Sequence, residues 1–274
     1  MLTCNTCKTV LPAEARFCFN CGTPVKVTEK KQEEPLVLDP HGNVTLQINE
    51  LFFKHLKVLL QQEQDEKLFQ SYSERVYQCG YRDIIQRRAE GLAEKITRPG
   101  FRLADLNEMV FDLIDELLDF FIIRFCGDLN VVSMPEAILK YHKKGIHFAE
   151  LFQMTLDYLN FDSEEETVYT DFLKMPVEKL KTAGRSFLFP EPKEKILFIC
   201  DLSLLGSCRE GFAMTEKAIY WKHPMQKAKK VFYNDLEEIN RTEDWITING
   251  HFFNVSPSLN IRVLKLLKKL HKLN

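Results

Sequence analysis

The chain has 274 residues, 45% of them hydrophobic and 28% charged, which are the proportions of an ordinary globular protein. That length admits one or two compact domains and a small additional module. A formal net charge of −2 argues against a dedicated nucleic-acid binder, because no overall positive field exists to draw a polyanion.

The first cysteine, Cys4, follows directly on Met1-Leu2-Thr3, with no signal peptide ahead of it. The densest apolar run, LLDFFII at 117–123, is broken by Asp119 and is too short to span a bilayer. The expected location is therefore cytoplasmic, where disulfides are rare. Eight cysteines then divide into a local cluster and four scattered residues, Cys79, Cys126, Cys200 and Cys208, expected to be small buried hydrophobes.

The cluster is Cys4, Cys7, Cys18 and Cys21, two Cys-x-x-Cys pairs separated by ten residues. Each pair wraps one tight turn around a metal, and two turns complete a tetrahedral set of thiolates. Residues 1–25 hold few large apolar side chains, chiefly Leu2, Val10, Leu11, Phe17, Phe19 and Val25, too few to offset the entropy of ordering the segment. Structural Zn²⁺ contributes roughly 10–16 kcal/mol of apparent binding energy in such modules and makes up the difference. Iron is not distinguished from zinc by the spacing; a redox dithiol is disfavoured because two pairs occur together. Gly22 after Cys21 suits a knuckle, where the chain needs an open φ; Lys8 holds the equivalent place after Cys7. The stretch CNTCKTVLPAEARFCFNCGTP resembles short bacterial zinc-ribbon modules, which implies a structural metal and no particular activity. Residues 1–31 carry five basic side chains against two acidic ones, a formal +3 that four thiolates on zinc reduce to about +1. Nucleic acid is thus an unlikely partner for the ribbon.

Residues 26–43 are charged, contain two prolines and lack periodicity, the signature of a flexible linker. From 44 to 186 the apolar spacing is helical and no GxGxxG or GxxxxGK[ST] loop occurs. Leu46, Leu51, Phe52, Leu56, Leu59 and Leu60 mark a first helix, followed by helices near 64–79, 82–97, 103–126, 134–144, 147–160 and 164–173. A last one is expected from Pro176 to Gly184, with Ser133 and Glu136 as a capping box before the 134–144 helix. On the 103–126 helix, Asp105, Glu108, Asp112, Asp115, Glu116 and Asp119 fall in one acidic arc, read as a solvated stripe. A docking surface for a basic partner is the other reading. A bundle di-metal site also needs Glu-x-x-His ligands, which are missing. His142 and His147 read as surface histidines at a helix exit, not as a catalytic pair.

Near Phe187 the period changes to two. Strands are expected at 195–201, 211–215, 218–222, once or twice within 230–240, at 245–248 and at 251–255. Asn249-Gly250 tolerates the positive φ of a type I′ hairpin turn. Ser256 caps a terminal helix whose Arg262, Lys265, Lys268, Lys269 and Lys272 share one face, opposite Val263, Leu264, Leu266, Leu267, Leu270 and Leu273. Such a helix can lie on an anionic membrane, but as the plug of a small barrel its lysines are solvated or meet an acidic partner.

Glu194-Lys195-Ile196-Leu197, Asp201, Gly206, Gly211-Phe212-Ala213-Met214-Thr215, Ala218-Ile219-Tyr220-Trp221-Lys222 and Phe232-Tyr233-Asn234-Asp235-Leu236, with the Asn-Gly hairpin, resemble the bacterial PH-like domain family. The resemblance covers about 80 residues and implies an antiparallel barrel closed by a helix and used for interaction or assembly. It does not imply phosphoinositide binding, and the 202–210 loop holds only Arg209 as a basic residue. The expected fold is multidomain α+β: a zinc ribbon at 1–25, a flexible linker at 26–43, an all-α helical domain at 44–186 and a PH-like antiparallel β-barrel capped by a helix at 187–274. With no catalytic residues identified, the expected function is non-enzymatic binding or scaffolding, with a protein partner. The alternatives are an enzyme or effector acting through the helical domain, and binding to nucleic acid or to an anionic membrane surface. Oligomeric state does not follow from the sequence.

Overall fold

A computed structural model describes residues 2–4, 6–11, 17–18, 20–21, 35–141 and 148–273. The chain divides into two units, Met1–Val37 and Leu38–Asn274. His142, His147 and Gly22 lie outside the described residues, as does half of the expected linker, residues 26–34.

In the first unit, β1 (Leu2–Thr3) pairs antiparallel with β2 (Val10–Leu11) in the register Leu2↔Leu11 and Thr3↔Val10. Its described core is Cys4, Leu11 and Cys18, with Cys7 packed against it, whereas Val10 and Phe17 are exposed. An apolar nucleus of this size cannot order the segment by burial.

The second unit opens with α1 (Val44–Glu63), whose N-cap Asn43 accepts the Leu46 amide at 3.0 Å. It continues with α2 (Phe69–Gln78), α3 (Tyr81–Ile96) and α4 (Leu106–Phe125). Phe52 of α1 meets Phe121 of α4 edge-on, with ring centroids 5.9 Å apart, and Tyr81 of α3 lies 4.9 Å from Phe121. Aromatic side chains at helical spacing thus form the centre of this part.

Beyond α4 the helical expectation holds only in part. The expected 134–144 helix shrinks to a 3-10 turn, Glu136–Lys140, behind Pro135; Glu136 pairs with Arg124 at 3.0 Å. After α5 (Phe148–Leu159), the expected helix at 164–173 is instead a short strand, β3 (Thr167–Tyr169), and a turn. Thr-Val-Tyr favours a pleated edge, and β4 (Ile196–Asp201) offers it a partner strand. Pro176 precedes α6 (Val177–Ser186), and Gly184 lies within that helix, not at its exit.

The sheet strands are β4 (Ile196–Asp201), β5 (Gly211–Thr215), β6 (Ala218–Lys222), β7 (Lys229–Phe232), β8 (Ile239–Thr242), β9 (Trp245–Ile248) and β10 (His251–Phe253), followed by α7 (Pro257–Leu273). They form an antiparallel five-stranded sheet, β3-β4-β5-β6-β7, and a three-stranded one, β10-β9-β8. The expected closed barrel is not formed: the ladder stops between β7 and β8, where a 3-10 turn (Tyr233–Asp235) intervenes. Asn249 and Gly250 take φ of 47° and 73°, as the Asn-Gly hairpin requires. The Asn249 side chain accepts the Glu237 amide at 2.9 Å and donates to the Asp235 carbonyl at 2.7 Å.

Ser256 caps α7, its hydroxyl accepting the Leu259 amide at 3.2 Å. One face of α7 covers the apolar interior that includes Phe198, Phe212, Trp221 and Phe253. Its other face is buried over the first half, at Arg262 and Lys265, and opens to solvent at His271 and Lys272. Of the scattered cysteines, Cys126, Cys200 and Cys208 are buried and Cys79 is half-buried. Among the described residues no helix is long and apolar enough to cross a membrane.

Candidate functional sites: a four-thiolate centre and a charged cleft

The four N-terminal cysteines come together as expected. Cys4 ends the β1 segment, and the chain turns back through Thr6 and Cys7, with Lys8 N–H donating to the Cys4 carbonyl at 3.0 Å and Cys4 N–H to the Thr9 carbonyl at 2.9 Å. Lys8 takes the left-handed φ of 60°, so this knuckle requires an open φ although its sequence lacks the glycine. Cys4 Sγ lies 3.6 Å from Cys21 Sγ, and Cys7 Sγ lies 3.4 Å from Cys18 Sγ. All four sulfurs fall within 4.8 Å of one another.

Those distances exclude disulfides, whose sulfurs stand about 2.05 Å apart. A tetrahedron with Zn–S bonds of about 2.3 Å has sulfurs ~3.8 Å apart, close to what is observed. The donor set therefore fits a metal such as zinc, with Cys4, Cys7, Cys18 and Cys21 as ligands. The surroundings also favour thiolate at two of them. The Thr9 hydroxyl, 3.1 Å from Cys7 Sγ, and the Thr9 amide draw the Cys7 thiol down to about 5. The Cys7 and Thr6 amides lower Cys4, while burial pushes Cys18 up to about 11. Asn20 Nδ2 donates to Thr9 Oγ1 at 3.1 Å and fixes that hydroxyl across the module.

Within the second unit, a cleft of about 390 Å³ opens between α1, α4, α7 and the segment 236–239. Its floor is apolar, with Leu59, Leu118 and Tyr158, and its walls are charged. Lys265 Nζ stands at the bottom, 2.8 Å from Glu63 Oε2 and 2.6 Å from Asp119 Oδ1. Burial works against its charge, but the attraction of Asp119 and Glu63 prevails and holds the amine above the ordinary lysine range. Glu63 is lowered in turn: Lys265 and Lys268 outweigh the burial that opposes its charge. Lys272 pairs with Asp115, and Lys268 donates to Gln62. The acidic stripe of α4 is therefore desolvated only at Asp119, which meets Lys265; Asp112 is exposed, and Asp115 meets Lys272 in a half-exposed pair. Elsewhere on the arc Glu116 pairs with Arg88 and Asp105 with Arg102.

Sequence reasoning missed a second buried pair. Arg262 Nη1 donates to Glu164 Oε1 at 2.6 Å and to Ser163 Oγ at 2.8 Å, and Glu164 also accepts the Ser256 and Ser258 hydroxyls. The glutamate run is the local signal, but its partner lies nearly a hundred residues away. Comparison of the chain with protein-family models, with curated proteins and with solved structures gives no match.

Proposed function

We propose that this is a non-enzymatic cytoplasmic binding or scaffolding protein whose N-terminal ribbon is held by structural zinc and whose larger unit supplies the binding surfaces. The observation that carries the reading is the closure of the cleft's charges on one another. Lys265 is fixed between Glu63 and Asp119, and Lys272 is paired with Asp115, so these charges act as a clamp between helices. A general acid or base must be left able to exchange its proton with a substrate. The sheets and α7 constitute an opened version of a PH-like domain, in which strand order and the closing helix are kept and the β7–β8 seam is parted. A protein partner is the expected ligand.

Affinity purification of the native chain with metal analysis of the same sample tests this. The expected result is one zinc per chain and a stable partner retained by the Lys269→Gln and Asp112→Asn variants in the cleft. Turnover of a small molecule that these two changes abolish overturns the non-enzymatic reading.

A further inference from the structure

We infer that one end of the five-stranded sheet, formed by the β4–β5 and β6–β7 loops, is a docking face for an anionic membrane surface. Both loops leave the same end because β4, β5, β6 and β7 run alternately up and down, with Asp201 opposite Gly211 and Gly211 opposite Lys222. Strands lie about 4.8 Å apart, which places the two loop tips on the order of 10 Å from each other.

Each tip carries large apolar side chains in full contact with water. Leu204 and Leu205 are 99% and 91% exposed, and Met225 is 103% exposed. Single exposed aliphatics are common, but three at neighbouring loop tips are an apolar patch with no cover. The first loop is also pinned. Asp201 Oδ1 accepts the Ser203 amide at 2.9 Å and the Cys208 amide at 3.2 Å, while Ser203 Oγ accepts the Ser207 and Cys208 amides at 2.7 and 3.0 Å. Gly206, at φ 64°, completes the turn. The two leucines are therefore presented on a built loop. Met225 sits at φ 61°, a strained conformation for a side chain of that size, at the apex of the second.

Cations lie behind these tips. The second loop and its strand ends carry Lys222, Lys227, Lys229 and Lys230 with no acid from 222 to 230, and Arg209 lies in the first. Among the described residues, no carboxylate comes within ion-pair distance of these five. Lys222 Nζ donates to Ser186 Oγ at 2.9 Å, and Lys230 Nζ lies 4.1 Å from the centre of the Phe232 ring. The acids at this end are Glu210 in the first loop, the buried Asp201 that pins it, and Glu164, Glu165 and Glu166 ahead of β3; Glu164 is neutralised by Arg262, so the five cations keep a small excess over the other four acids. This contrasts with α7, whose Lys265 and Lys272 are held by carboxylates of the same chain.

Convex apolar tips with cations set behind them suit a bilayer, in which leucine and methionine enter the acyl boundary while lysines remain among anionic headgroups. A nucleic-acid backbone offers nothing to the three apolar tips. The inference extends the proposed binding role and rests on it, but the two are tested apart, since partner capture is measured without vesicles.

The test is sedimentation of the full chain with phosphatidylcholine vesicles made with and without phosphatidylserine. Wild type is expected to sediment with the anionic vesicles only, and Lys227→Gln/Lys229→Gln/Lys230→Gln to lower partitioning on the order of 100-fold. Leu204→Ser/Leu205→Ser is expected to weaken it at least tenfold, with the circular dichroism spectrum unchanged because both side chains are solvent-exposed. In Leu205→Trp the added indole emission should shift to the blue on anionic vesicles, a readout independent of the loss variants. Failure of wild type to sediment overturns the inference. So does binding to duplex DNA or an acidic protein with no binding to vesicles. Loss on Lys272→Gln as large as in the loop variants also overturns it, because the contact would then lie on α7.

Discussion

The two units of this chain are held together by opposite means. The described residues of the first unit bury Cys4, Cys18 and Leu11 and little else, and their four sulfurs lie close enough together to hold a metal. Residues 38–274 bury an extensive aromatic and aliphatic interior, in which the first half of α7 is covered on both faces. With a structural metal bound there, cohesion of the first unit is expected to be a chemical equilibrium, sensitive to chelators and thiol reagents. Cohesion of the second is distributed, and a single change removes only a part of it. Ion pairs buried between α1, α4 and α7 bind the helical and sheet portions of the larger unit to each other.

The sharpest way to break this comparison is at Cys18. Cys18→Ser or Cys21→Ser leaves three thiolates and is expected to forfeit most of the roughly 10–16 kcal/mol of apparent zinc binding. Metal analysis should then find less than one zinc per chain, while the main thermal transition of residues 38–274 stays where it is in wild type. A collapse of that transition would show that the units are not independently held.

The next largest effect is expected at Lys265. Lys265→Met leaves Asp119 without its cation and Glu63 with only the longer contact to Lys268 at 3.7 Å, a change that costs about 3–5 kcal/mol. Urea denaturation measures it. The triple variant Lys265→Met/Glu63→Gln/Asp119→Asn should recover much of the loss, because the cost arises from uncompensated charge and not from the missing pair itself. Equal losses in the single and triple variants would assign the effect to packing. Gly211→Ala should follow at about 3 kcal/mol. A Cβ at that position would stand 2.2 Å from the Cys200 carbonyl oxygen, so β4 and β5 must separate to admit it.

How legible these features were depends on how local their causes are. The cysteine cluster is set by spacing within eighteen residues, and α1, α3 and α4 by apolar period, so all of these were readable. Strand β3 was not: Thr167–Tyr169 is too short for a period to show, and it becomes a strand because β4 offers it an edge. The clamp at Lys265 was half legible. The basic and acidic stripes were each visible on a wheel, but Lys265 and Glu63 stand 202 residues apart, and nothing local says that the two stripes face each other. Closure of the barrel was overestimated for a related reason: strand order is a local pattern, and the seam between β7 and β8 is decided by the turn at Tyr233–Asp235.

The smallest effect is expected from pH and separates exposed from buried charge within the larger unit. Asp128 accepts both arms of Arg75, at 2.8 and 2.7 Å, and those hydrogen bonds hold its carboxyl down to about 2. The unfolded chain carries an ordinary aspartate, which titrates near 3.9. Between about pH 4 and about pH 2 the unfolded state thus binds more protons than the native state, and stability falls as pH drops through that window. Asp128→Asn should flatten this acid limb in urea titrations and lower stability near pH 7 by the same amount, which is small because Asp128 is exposed to solvent and the pair is screened by salt. Glu63, also lowered, adds to the same limb from a buried site. Raising the salt concentration should therefore erase the part due to Asp128 and spare the part due to Glu63. Equal sensitivity of both to salt would show that the cleft admits more water than its geometry allows.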